Sequence, residues 1–144
     1  MDIANLSDHY EVAMWGIWAI LFTAFAQTVV ATAAHRKQSV YVPGQVDAGL
    51  GHQSFVFRSH RTFQNTLENL FLMLGPAFLA ILSGMSAYWL GLLVWVYALA
   101  RIAHMALYYM IATEKNPSPR SYFFMIGLLS NLVLLIILAV HLAS

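Results

Sequence analysis

The sequence predicts an all-α membrane protein, a single domain over residues 1–144 built as a bundle of four transmembrane helices. Three observations carry this. The chain is 60% hydrophobic and 9% charged, whereas a soluble domain carries roughly 25% charged and about 45–50% apolar residues. Its uncharged apolar stretches reach the roughly 20 residues that a spanning helix needs. Its basic residues, Arg101 excepted, gather around the ends of those stretches and not along them.

The elements follow in order. Val12 to Ala34 is uncharged and predicts helix 1 over about 10–36. Asn69 to Ala100 is also uncharged. It is too long for one span and divides at Ser83-Gly84-Met85-Ser86, which predicts helix 2 over 60–83 and helix 3 over 87–113. Ser121 to Val140 predicts helix 4 over 120–142. Tyr88 and Trp89 have the position of interfacial anchors. Pro76 lies inside helix 2 and should bend it, since it leaves the Leu72 carbonyl without its helical partner. The N-terminus carries Asp2, Asp8 and Glu11 but no Lys or Arg. A secretory signal needs a positive leader, so the first apolar run is expected to remain as a helix.

Composition also excludes. There is no cysteine, hence no disulfide and no thiolate of the chain's own. A net charge of +1 argues against a nucleic-acid partner. His9, His52, His60 and His141 are scattered without ligand spacing, so no metal site is expected. Gln27 and Asn131 are expected to form hydrogen bonds between helices.

Arg36, Lys37, Arg58 and Arg61 surround the loop between helices 1 and 2, and Lys115 and Arg120 the loop between helices 3 and 4. Basic loops stay in the cytoplasm, so both termini are expected on the opposite side of a bacterial inner membrane or endoplasmic reticulum. The longest loop, about 38–57, is placed to cap a cytoplasm-facing site.

Charge inside a span is costly and marks function by default. Arg61, Asn65 and Glu68 fall at i, i+4, i+7, and Arg101, His104 and Tyr108 at i, i+3, i+7. Each trio makes one helical stripe. Two such stripes imply one polar pocket. The economical pairing joins Glu68 to Arg101 deep in the bundle as a structural ion pair, below a pocket of Arg61, Asn65, His104 and Tyr108 that Arg36 and Arg120 close. Guanidinium groups favour carboxylates and phosphates, so the pocket suits a small anion with several carboxylates. The apolar walls offer a lipophilic second substrate a route from the bilayer.

The segment Arg61-Thr-Phe-Gln-Asn65-Thr-Leu-Glu68 resembles the Arg-x-x-x-Asn-x-x-Glu signature of the MAPEG family, the membrane-associated proteins in eicosanoid and glutathione metabolism. Arg101-Ile-Ala-His104-Met-Ala-Leu-Tyr108 resembles that family's Arg-x-x-His-x-x-x-Tyr on the third helix. Length, span count and topology agree. Within the family the likeness is greatest to the microsomal prostaglandin E synthase and glutathione transferase branch, through the spacing of Arg36 and Asp47 and through the Arg120-Ser121 pair.

The resemblance implies a homotrimer with glutathione bound between subunits on the cytoplasmic side. Arg36, Arg61, Asn65, Glu68, His104, Tyr108 and Arg120 would bind it. Arg120 would stabilise its thiolate, Ser121 would donate to the sulfur, and Asp47 would assist proton transfer. Two departures stand out: the loop from Thr113 to Pro119 is longer than in the synthase, and Phe124 stands where the synthase has a tyrosine.

The implied activity is that of a glutathione transferase or peroxidase acting on lipophilic electrophiles or hydroperoxides. The alternatives are a prostaglandin-E-synthase-type isomerase and a non-catalytic lipid-binding scaffold. A channel is disfavoured because the charges cluster at one end. Plainer roles stay open residue by residue. Arg61 could snorkel to the interface, Arg36 and Lys37 could be an ordinary basic flank, Asp47 could be solvated, and Ser121 could cap helix 4.

Overall fold

The computed structural model describes residues 3–39 and 42–144; Met1, Asp2 and, within the long loop expected over 38–57, Val40 and Tyr41 lie outside them. Five helices follow in order: α1 (Ile3–His9), α2 (Glu11–His35), α3 (Phe55–Ser83), α4 (Ala87–Met110) and α5 (Pro119–Ala143). The last four are long and apolar enough to cross a membrane. Large apolar side chains such as Phe25, Phe71, Leu82 and Val140 face outward. A lipid solvent accepts such a surface, because the tails are as apolar as the side chains.

α4 is the central element and packs against α2, α3 and α5. The core runs through Ile17 and Ile20 of α2, Met73 and Ala77 of α3, Leu90, Val94 and Tyr97 of α4, and Leu134 of α5. α2 crosses α4 closely because Gly16 has no side chain. A Cβ there would stand 2.7 Å from Val94 Cγ1.

The expected break at Ser83–Ser86 is a helix terminator. Gly84 takes a left-handed conformation (φ 74°, ψ 27°). The Met85 amide then donates to Ala80 O at 2.9 Å and the Gly84 amide to Ile81 O at 3.2 Å. These bonds use carbonyls that the helix end would leave open, and glycine adopts the left-handed geometry at little cost. The Tyr10 hydroxyl donates to Met85 O at 2.6 Å and ties the start of α2 to this turn.

Two boundaries differ from the sequence reading. α3 begins at Phe55, five residues before the expected 60, and the extra turn sets the buried Arg58 against the preceding loop. α4 ends at Met110, three residues before 113, because Ile111 is already extended (φ −108°, ψ 112°). α3 continues through Pro76. α5 opens with Pro119 in its first turn, where a missing amide hydrogen costs the helix nothing.

Gln38 gathers the loop after α2. Its amide nitrogen donates to His35 O at 3.2 Å and Gln45 O at 3.3 Å, and its oxygen accepts the Asp47 amide at 3.1 Å.

Candidate functional site

At the basic end of the bundle the last turns of α4, the first turns of α5 and the outer third of α3 line an open cavity of about 450 Å³. Its lining includes Asn65, His104, Tyr108, Arg120, Ser121 and Phe124, joined by Asn116, Pro117 and Met125. Six residues from three helices therefore converge: Asn65, His104 and Tyr108 from the two helical stripes, Arg120 from the start of the last spanning helix, and Ser121 and Phe124, which only the family resemblance had singled out. Asn116, Pro117 and Met125 were not singled out from sequence, since a loop and a generic methionine carry no signal of their own.

Arg120 dominates the site. Its guanidinium carbon lies 4.1 Å over the Tyr108 ring, and its Nη2 donates to Thr113 O at 2.9 Å. Its Nη1 is enclosed with no hydrogen-bond partner among the described residues. The cation is thus pinned on two sides and keeps a donor in reserve. His104 is buried, with its ring 5.5 Å from Tyr108 and 6.4 Å from Phe124. Its Nδ1 also lacks a partner. Buried polar atoms are nearly always paired in proteins, so two unpaired ones on residues that line the same cavity suit a polar ligand. Tyr108, and not its neighbour Tyr109, faces this cavity; Tyr109 packs on Phe55 at 5.4 Å.

The expected ion pair is corrected. Glu68 pairs with Arg61 (Oε1 to Nη1, 3.0 Å), and the side chains of Arg61 and Glu68 are 42% and 54% exposed. Arg101, only 3% exposed, donates instead to Asn65 Oδ1 at 2.8 Å and Thr66 Oγ1 at 3.1 Å. The reason is the rotation of α3. The buried Thr62 and Thr66 set its inner face. At 3.6 residues per turn Thr66 stands about 140° around the helix from Arg61, whereas Glu68 stands only about 20° from it. Glu68 therefore shares the outward face with Arg61, and Asn65 sits at the edge between the two faces. Gly127 leaves room for the Arg101 stem, whose Cδ lies 3.6 Å from where a Cβ would be.

Two more expected residues, Arg36 and Asp47, separate from the cavity within one chain. Arg36 is exposed at the end of α2 and does not line it. Asp47 is exposed in the loop, where its Oδ1 accepts the Gly49 amide at 2.8 Å. Short acidic side chains close turns in this way. Ser121 does line the cavity, but its Oγ also accepts the Ser118 amide at 3.2 Å, which is a capping role. Gln27 and Asn131, expected as hydrogen-bonding glue, are buried with neither side-chain atom paired among the described residues.

Arg58 was read only as a topology marker. It is buried and donates Nη1 to His52 O at 2.6 Å and Gln53 O at 3.0 Å, with Nη2 reaching Tyr109 O at 3.4 Å. His52 lies 5.8 Å from the Tyr108 ring. Burial first, then Arg120, push its pKa below the ordinary imidazole value; Glu114 opposes them and Arg58 adds a smaller lowering.

One comparison decides the family. The family model described as MAPEG family matches residues 12–140, most of the chain and all four spanning helices. The protein belongs to the MAPEG family. Comparison with curated proteins and with solved structures gives no significant match. Membership, with the four long apolar helices, makes this MAPEG chain an integral, multi-pass membrane protein.

Proposed function

We propose that this MAPEG protein is a glutathione-dependent membrane enzyme that activates the glutathione thiolate against lipophilic electrophiles or hydroperoxides. The observation that carries the reading is the Arg120 guanidinium, stacked on Tyr108 with Nη1 unpaired beside the cavity. A cysteine thiol titrates near ~8.5, and an adjacent cation lowers that value. The donor set fits the tripeptide: Arg120, His104 and Asn65 can meet carboxylate and amide groups from one cavity. The Ser121 hydroxyl accepts the Ser118 amide and lies 3.3 Å from Ser118 Oγ, so it would offer the sulfur a proton by turning away from that hydroxyl.

Glutathione supplies the nucleophile; the chain's residues hold it, lower the charge cost at its sulfur and exclude water. Arg36, Arg61 and Glu68 lie outside the cavity of their own chain, so their part in binding requires the homotrimer, with glutathione between subunits. The same holds for proton transfer through Asp47. The trimer also gives the outward Arg61–Glu68 pair a protein environment in place of lipid, where charge is expensive. The lipophilic substrate would enter from the bilayer, and the basic end would face the cytoplasm from a bacterial inner membrane or endoplasmic reticulum.

The test is a titration of detergent-solubilised protein with glutathione, read by the ultraviolet thiolate band near neutral pH, with Arg120→Ala alongside. A band present in the parent and lost in the variant supports the reading; absence of binding in the parent overturns it. Product then separates the chemistries. A conjugate or oxidised glutathione marks a transferase or peroxidase, whereas an isomerised substrate with glutathione unchanged marks the isomerase.

A further inference from the structure

The turn before α3 is gripped from below. The Ser54 amide closes it onto Gly51 O at 2.9 Å. The buried Arg58 holds the His52 and Gln53 carbonyls and reaches the end of α4 through Tyr109 O. This grip lays the His52 ring between two aromatics, edge-on to Phe57 at 4.9 Å and tilted against Tyr108 at 5.8 Å. His52 Nδ1 is enclosed without a hydrogen-bond partner among the described residues. Tyr108 in turn carries the Arg120 guanidinium at 4.1 Å. His52, Tyr108 and Arg120 thus form one continuous stack drawn from the loop, α4 and α5.

We infer that His52 is a positioning residue for Arg120: its ring, clamped by Arg58, holds Tyr108 where the phenol face carries the guanidinium beside the cavity. The geometry supports this in two ways. Tyr108 is buried and meets His104 and His52 as ring neighbours, so loss of the His52 ring removes one of its supports. The charged groups around His52 are Arg58 from α3, Arg120 from α5 and Glu114 from the loop after α4, and the phenol of Tyr108 comes from α4. A neutral ring suits a position between two guanidinium groups, since a third cation there would be repelled by both. The functional consequence rests on Arg120 being the thiolate-stabilising cation; the stack itself does not.

The deciding experiment labels the full chain in detergent with phenylglyoxal and follows each arginine by peptide mass spectrometry, with the exposed Arg36 as internal reference. His52→Ala should raise the labelling rate of Arg120 relative to Arg36 by about two- to fivefold, the change that one cation–π contact supports. His52→Phe, which restores a ring without a titrating group, should return the parent rate. An Arg120 rate unchanged in His52→Ala, or a His52→Phe protein as reactive as His52→Ala, overturns the inference. Should His52→Ala also expose the buried Arg101, its fold has opened and His52→Leu decides by the same criteria.

A second readout keeps the two proposals apart. If Arg120 is the thiolate cation, His52→Ala should move the midpoint of glutathione thiolate formation to higher pH while Tyr108 and Arg120 remain in the chain, and His52→Phe should move it back. A parent with no thiolate but with His52-dependent labelling removes the proposed function and leaves the positioning intact. A parent with a thiolate and labelling indifferent to His52 does the reverse.

Discussion

Arg101 donates to Asn65 Oδ1 across the α3–α4 interface at 2.8 Å, and the carboxylate three residues further on, Glu68, turns outward to Arg61. The cation most deeply buried in the bundle is therefore held by neutral groups. Arg101→Met would leave Asn65 Oδ1 and Thr66 Oγ1 without their donor, at a cost of about 1–3 kcal/mol for each group left unsatisfied. Glu68→Gln would disturb a pair that is half-exposed on the single chain and that no buried cation of that chain depends on, worth about 0–1 kcal/mol within it. Thermal unfolding in detergent should show a large loss for the first and little for the second. Equal losses would mean that Glu68 serves Arg101 after all.

Arg120→Lys tests stacking apart from charge. A lysine keeps the cation but not the planar fork that lies on Tyr108 and reaches Thr113 O. The thiolate midpoint should rise and turnover should fall by about tenfold, equivalent to one pK unit of lost stabilisation. Arg120→Ala should lose most turnover while glutathione still binds. Turnover that survives in both variants would remove Arg120 from the chemistry.

pH dependence should carry the signature of His52. Its pKa in the folded protein is lowered, chiefly by burial and then by Arg120, so the unfolded chain binds this proton more readily. Stability rises with pH wherever the unfolded state holds more protons. His52 therefore contributes nothing against folding well above the ordinary imidazole pKa and opposes folding increasingly as pH falls below about 6.5. Melting temperature should drop between neutral and mildly acidic pH, and His52→Phe should flatten that part of the curve. A curve of the same shape in the variant would show that His52 does not titrate as described.

The α2–α4 crossing can be probed at Gly16, with Gly75 of α3 as a control. Gly16→Val must push against the buried Val94, 2.7 Å from the new Cβ, and overpacking of this kind costs about 1–3 kcal/mol. Gly75→Ala meets only the Phe71 ring at 3.6 Å and should be neutral or gain up to about 1 kcal/mol of helix propensity. A tolerant Gly16→Val, by detergent melting temperature, would mean that the crossing is looser than described.

By itself the sequence determined the class of the protein and some of the residues that meet at its cavity. Hydropathy is a property of each residue, so four long apolar runs and a break at Ser83-Gly84-Met85-Ser86 were readable without knowing what packs where. Helical spacing likewise put His104 and Tyr108 on one stripe of α4, and that stripe meets Arg120 in the folded protein. Periodicity fixes which residues share a stripe but not how the helix is turned about its axis. That turn was decided only by the packing of α3 on α2 and α4, which buries Thr62 and Thr66 and sends Glu68 outward. Arg101, with Asn65, Thr66 and Glu68 all within one turn of the facing helix, could not announce its partner in advance. Loop residues were the least legible. Asp47 and His52 sit five positions apart in the same segment, yet one closes a local turn and the other reaches Tyr108, because Arg58, a side chain from the following helix, holds the carbonyl of the second.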